Sequence, residues 1–92
     1  MKETREFTLV NRYGLHVRPA GLFAKTASRY DADVTVEKDG NVVSGKSIMA
    51  LMTLEAVNGT VLKVTAEGSQ AKEVLDDLEG LISRKFDIPD EQ

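Results

Sequence analysis

The chain has 92 residues, 41% of them hydrophobic and 29% charged, and a formal net charge of −3. It has no cysteine, which excludes disulfides and thiolate metal sites, and its negative balance disfavours broad nucleic-acid binding. A single domain of this length buries roughly 60% of its unfolded surface, enough for one modest core and no deep cleft. Met1 to Arg5 lead into no long apolar run, so neither a signal peptide nor a membrane span is expected, and the chain reads as cytoplasmic.

Glu6 to Val10 alternates with Phe7 and Leu9 on one face, predicting a short first strand. The loop Asn11-Arg12-Tyr13-Gly14 leads into Leu15-His16-Val17-Arg18-Pro19-Ala20, where the chain's only histidine stands beside an arginine at the start of a helix. Pro19 has no backbone N–H and a preset φ, so it fits the first turn and no later position. Phe23, Ala24 and Ala27 carry the helical period, and the helix is predicted to reach about Tyr30. Ala32, Val34 and Val36 alternate as a second strand. Asp39-Gly40 is a hairpin signal, and Asn41 to Ser44 returns as a third strand.

Gly45-Lys46-Ser47 opens a short second helix to about Leu54, and Asn58-Gly59 turns the chain into a fourth strand over Thr60 to Ala66. Ser69 is the predicted cap of a third helix whose Ala71, Val74, Leu75, Leu78, Leu81 and Ile82 form one apolar stripe. Residues 87–92 carry Pro89 and acidic side chains and are expected to fray. The order predicts an α+β open-faced sandwich: one domain over 1–92, with a four-stranded antiparallel sheet covered on one face by three helices.

His16 has a plain reading, a loop histidine capping a helix, and a chemical one. A helix start exposes unpaired N–H groups and about half a positive charge, which suits an anion. Arg18 adds a donor that matches phosphate oxygens. Together with the Val17 amide they suit an imidazole that accepts and holds a phosphoryl group. One histidine without cysteine makes no ordinary zinc site, so no metal and no cofactor are expected.

Gly40 to Ser47 fits the pattern G-x-x-x-x-G-K-[ST] of nucleotide-binding loops. Val42 and Val43 read as a hairpin strand there, not as a glycine-rich cradle, so a nucleotide site is rejected. Ser47 reads instead as an N-cap. The second helix is too apolar for its length: if Leu51 and Leu54 face the core, Ile48, Met49 and Met52 are left for partners. Ala20, Lys25 and Lys46 are read with that docking surface, and the cations Arg12, Arg18, Lys25 and Lys46 as a basic ring around it that steers acidic partners.

Gly14 to Ala20, Lys46-Ser47-Ile48-Met49, Asn58-Gly59 and Ala66-Glu67-Gly68 stand in the register of the HPr family, which the chain resembles over nearly its whole length. HPr is the histidine-containing phosphocarrier of the phosphoenolpyruvate-dependent sugar phosphotransferase system. The resemblance implies the open-faced sandwich, phosphorylation of His16 by phosphorylated enzyme I, and transfer to an enzyme IIA domain. It also implies Arg18 as a phosphate-stabilising residue, and Ser47 as a regulatory site for an HPr kinase/phosphorylase. Such a protein is a carrier and not a free-standing enzyme, and it is expected to be a monomer.

Three positions depart from the family's pattern. Val17 replaces a small or hydroxylated residue, Tyr13 is uncommon before Gly14, and Glu55 takes a place commonly held by glycine, leaving open where the second helix ends. The Asn11 to Gly14 spacing resembles the nitrogen-branch relative. A nitrogen-branch or purely regulatory role is therefore the alternative to sugar uptake, and Lys46 to Met49 favours the sugar type. A small RNA-binding domain is disfavoured by the acidic charge and the few aromatic residues.

Overall fold

A computed structural model describes residues 1–88. Its elements are β1 (Lys2–Thr8), α1 (Val17–Ala27), β2 (Asp33–Lys38), β3 (Asn41–Ser44), α2 (Ile48–Met52), β4 (Val61–Glu67) and α3 (Ala71–Ser83). The strands form one sheet in the order β1-β4-β2-β3, with every neighbouring pair antiparallel. β4 lies between β1 and β2, so the last strand made completes a sheet begun by the first. Phe7, Val34, Val36, Leu62, Val64 and Ala66 point to the covered face and are buried against the α3 stripe and Phe23 of α1. This is the predicted open-faced sandwich.

The uncovered face is polar by register. Thr4 pairs with Thr65, Thr65 with Thr35 and Thr35 with Ser44, a row of hydroxyls across all four strands. The Thr4 and Thr65 hydroxyls lie 2.9 Å apart. Such a wet face matches the alternation seen in the sequence.

Several boundaries differ from expectation for local reasons. β1 begins at Lys2 and ends at Thr8, because its inward positions Glu3 and Arg5 continue the alternation with charge where the strand passes the rim of α3. There the Arg5 guanidinium meets Asp76 at 2.8 Å, Glu79 at 2.9 Å and Glu3 at 2.6 Å. α1 stops at Ala27, three residues early. The Ser28 amide donates to the Ala24 carbonyl, while the Tyr30 hydroxyl is drawn away to Asp77 at 2.6 Å.

Ser69 does not cap α3. Its hydroxyl donates to the Asp31 carboxylate at 2.6 Å, and Gln70 takes the cap position. Asp87 closes a left-handed turn, Lys85–Asp87, that folds Phe86 back into the core. The rest of the predicted frayed tail, residues 89–92, lies outside the described residues.

The Asp76 carboxyl is held below its ordinary value of 3.8, first by the hydrogen bond from Lys72 and then by that from Arg5. A carboxylate with a depressed folded pKa contributes stability above its unfolded value, and that contribution is lost as pH falls through the folded one. Urea midpoints of the natural chain are therefore expected to drop on acidification below about pH 4 more steeply than those of Asp76→Asn.

Candidate functional site

The loop from β1 to α1 is held against the segment before β4. Leu9 donates to the Thr60 carbonyl at 2.9 Å, and Gly59 returns a bond to the Leu9 carbonyl at 2.8 Å. Leu15 then donates to the Ala56 carbonyl at 2.8 Å, and the Asn58 side chain donates to the Asn11 carbonyl at 3.0 Å. Within the loop the Asn11 amide group donates to the Gly14 carbonyl at 2.6 Å. Gly14 has φ +66, and a Cβ there would collide with the Ala56 carbonyl oxygen and stand 2.6 Å from the Val57 Cα. Only glycine allows that approach.

These bonds deliver His16 to the N-cap of α1 in an extended conformation, φ −79 and ψ −173. Its carbonyl starts the helical ladder by accepting from Ala20 at 2.9 Å. Its side chain makes no capping hydrogen bond, so the plain reading of a capping histidine does not hold. The ring is half-buried, and the Tyr13 ring meets it edge-on at 6.1 Å with an interplanar angle of 83°. Arg12 lies over the other ring, 5.3 Å from the Tyr13 centroid.

Val17 and Arg18 follow as the first two helical residues, both exposed, and Pro19 is buried in the same turn. The leading amides of the turn, that of Val17 among them, have no helical carbonyl behind them and face the region beyond the helix end. His16 thus stands at the electropositive start of α1, with Val17 and Arg18 next in the chain. Among the described residues no group of three or more His, Cys, Asp or Glu is placed to hold a metal ion. No helix there is long and apolar enough to cross a membrane.

The two helix starts are not neighbours. Gly21 of α1 lies against Ile48 of α2, whereas Met52, at the far end of α2, shares a shallow recess with Tyr13, Leu15 and His16. The helices therefore run in opposite directions. Lys25 sits in the last turn of α1, nine residues and about 13 Å of rise beyond His16. Lys46 lies beside Asp31, Asp33 and Glu67 at that same distant end. Basic residues thus stand at both ends of α2, with acidic residues beside Lys46.

Leu51 and Leu54 are buried, while Ile48, Met52 and above all Met49 (81% exposed) are open. Ala20, expected on the docking surface, is 0% exposed: its small side chain fits α1 against the core and reaches no partner. Ser47 is the N-cap of α2, with its hydroxyl oxygen accepting from the Ala50 amide at 3.1 Å.

Glu55 and Tyr13 are among the residues that line the recess beside His16 and were not read as site residues. Glu55 has φ +50, the left-handed conformation that glycine provides without strain and that costs a side-chain-bearing residue roughly 1–2 kcal/mol. α2 accordingly ends at Met52 with Thr53 as its cap, and does not run on. Lys38 secures the turn by donating to the carbonyls of Leu54 at 2.9 Å and Glu55 at 3.3 Å. The glycine-type position was visible in the sequence; that the glutamate would adopt the same backbone was not.

The family model described as "PTS HPr component phosphorylation site" matches residues 3–84. The chain belongs to the HPr family. It is 48% identical over 71 residues to the phosphocarrier protein HPr of Vibrio cholerae, covering 77% of this chain and 84% of that one. It is 42% identical over 72 residues to the HPr-like protein Crh of Bacillus subtilis, covering 78% and 85%. Among solved structures, HPr-C-His from Thermoanaerobacter tengcongensis superposes with a TM-score of 0.90 at 40% identity, covering 95% of this chain and 98% of that one. HPr proteins are phosphocarriers of the phosphotransferase system, and that general role extends to this chain.

The seat of Gly14 gives a direct test. Gly14→Ala adds both a collision with backbone and a disfavoured φ, and is expected to destabilise this HPr by about 3 kcal/mol or more in urea unfolding.

Proposed function

We propose that His16 is the residue through which this HPr carries phosphate. Its imidazole attacks the phosphoryl group of phosphorylated enzyme I through the lone pair on Nδ1. A new N–P bond forms as the bond to the donor breaks, and the donor keeps that electron pair. The same exchange in reverse passes the group to an enzyme IIA domain. The observation that carries this reading is the half-buried, uncapped imidazole at the electropositive start of α1, with the Val17 amide and Arg18 next in the chain. Amides and guanidinium offset the charge on the moving phosphoryl, and phosphoryl transfer needs positioning and electrostatics more than covalent help.

Ile48, Met49 and Met52 form the surface on which both partners dock in turn. Adaptable side chains suit a surface that must fit more than one shape. Lys46 and Lys25 at one end, with Arg12 and Arg18 at the other, steer acidic partners onto it. Ser47 is the regulatory site: a phosphate on this capping oxygen would add roughly −2 of charge beside the docking residues.

The carrier works in the cytoplasm as a monomer of one domain. Among its relatives, the HPr of Thermoanaerobacter tengcongensis has been solved as a dimer and Crh of Bacillus subtilis as a domain-swapped one. The alternative, a nitrogen-branch or purely regulatory role, has the likeness to Crh in its favour.

Incubation with enzyme I and labelled phosphoenolpyruvate is expected to give an acid-labile, alkali-stable phosphate that His16→Ala abolishes. Label that reaches no sugar-system enzyme IIA domain would favour the nitrogen-branch role, and no label at all would overturn the phosphocarrier reading and leave the purely regulatory one. Charge reversal in Lys46→Glu is expected to slow transfer severalfold at low salt and little at about 1 M, where screening shortens to about 3 Å. Equal slowing at both salts would remove the steering role.

A further inference from the structure

We propose that Glu55 sets how tightly this HPr holds its phosphoryl group, an inference that rests on His16 being the acceptor. Four observations converge on this residue. It occupies the left-handed region at φ +50, and strained non-glycine residues gather where function requires a particular side chain. Its backbone is pinned there from both sides, by its own amide donating to the Met52 carbonyl at 3.2 Å and by Lys38 donating to its carbonyl. The side chain is exposed, and it lines the recess that His16 and Tyr13 also line. Among the described residues bordering that recess it brings the sole carboxylate.

A carboxylate in this place acts differently on the two states of the carrier. Free His16 presents it with no anion. Phosphorylated His16 puts close to two negative charges into the same recess, and the carboxylate repels them. Repulsion present only in the loaded state weakens the hold on the phosphoryl group and favours its passage to an acceptor. A glycine or glutamine at this position lacks the effect. For exposed charges in water the interaction amounts to about a threefold to tenfold change in equilibrium occupancy, and salt screens it.

A competition between two forms of the chain tests this. Equal amounts of the ¹⁵N-labelled natural chain and unlabelled Glu55→Gln are mixed with a trace of enzyme I and phosphoenolpyruvate enough for half the sites. The mixture is left to equilibrate, and each form's phosphorylated fraction is read by mass spectrometry. In this exchange an N–P bond on one chain breaks and an N–P bond on the other forms, with enzyme I carrying the group between them and no redox step. Glu55→Gln is expected to be loaded about three to ten times as strongly at about 20 mM salt, and nearly equally at about 1 M.

Glu55→Gly separates charge from backbone. It is expected to unfold at higher urea than the natural chain, its left-handed strain being relieved, yet to share phosphate as Glu55→Gln does. Equal loading of the natural chain and Glu55→Gln at low salt overturns the proposal and leaves His16 as acceptor. So does a glycine variant that loads like the natural chain. If neither chain takes up phosphate, the phosphocarrier reading falls and this proposal with it.

Discussion

Leu15 donates its amide to the Ala56 carbonyl beside a glycine that no other residue can replace without collision, and the position of His16 follows from that junction. The bond joins the loop that ends β1 to the segment that begins β4, two strands paired in the sheet but distant in the chain. α1 cannot start elsewhere while the junction holds, because Leu15 is pinned and the next residue is the cap. A helix start with nothing behind it would drift by a residue or two, as helix ends commonly do. Here the first residue of α1 is fixed by packing outside the helix. For the transfer proposed at His16, that fixity counts for more than an enclosing pocket would.

Charge is arranged along the helix pair to the same end. α1 and α2 run in opposite directions, so the electropositive start of α1 lies by the end of α2, and the start of α2 lies by the last turns of α1. Apolar Ile48, Met49 and Met52 fill the stretch between, with basic residues at either end. The apolar strip ends at the recess that His16 lines. The chain as a whole is acidic, and at the start of α2 Asp31, Asp33 and Glu67 stand beside Lys46.

Much of this was legible in the sequence because the governing patterns are local. The α3 stripe, the Asp39-Gly40 hairpin, the alternation in β2 and β4 and the proline in the first turn of α1 each follow from periodicity or a fixed dihedral. The motif around His16 led to the family for the same reason. Other features depended on contacts between distant residues. Arg5 occupies an inward strand position because Asp76 and Glu79 lie across from it, and no window around β1 contains them. Ser69 turned to Asp31 and left α3 uncapped by a side chain. The pattern puts Lys25 and Lys46 around the docking surface without showing at which end of α2 they lie, and Ala20 went to the core because α1 rolls that face inward.

The shortness of α2 has its own consequence. Five residues make little more than one turn, too few for a helix to nucleate or persist by itself. Its retention rests on Leu51 in the core, the hydroxyl of Ser47 at one end and the ammonium of Lys38 at the other. Such an element opens more readily than the strands beneath it, so its amide protons exchange with solvent sooner than those of β4. The exposed apolar strip therefore lies on the part of the fold that breathes.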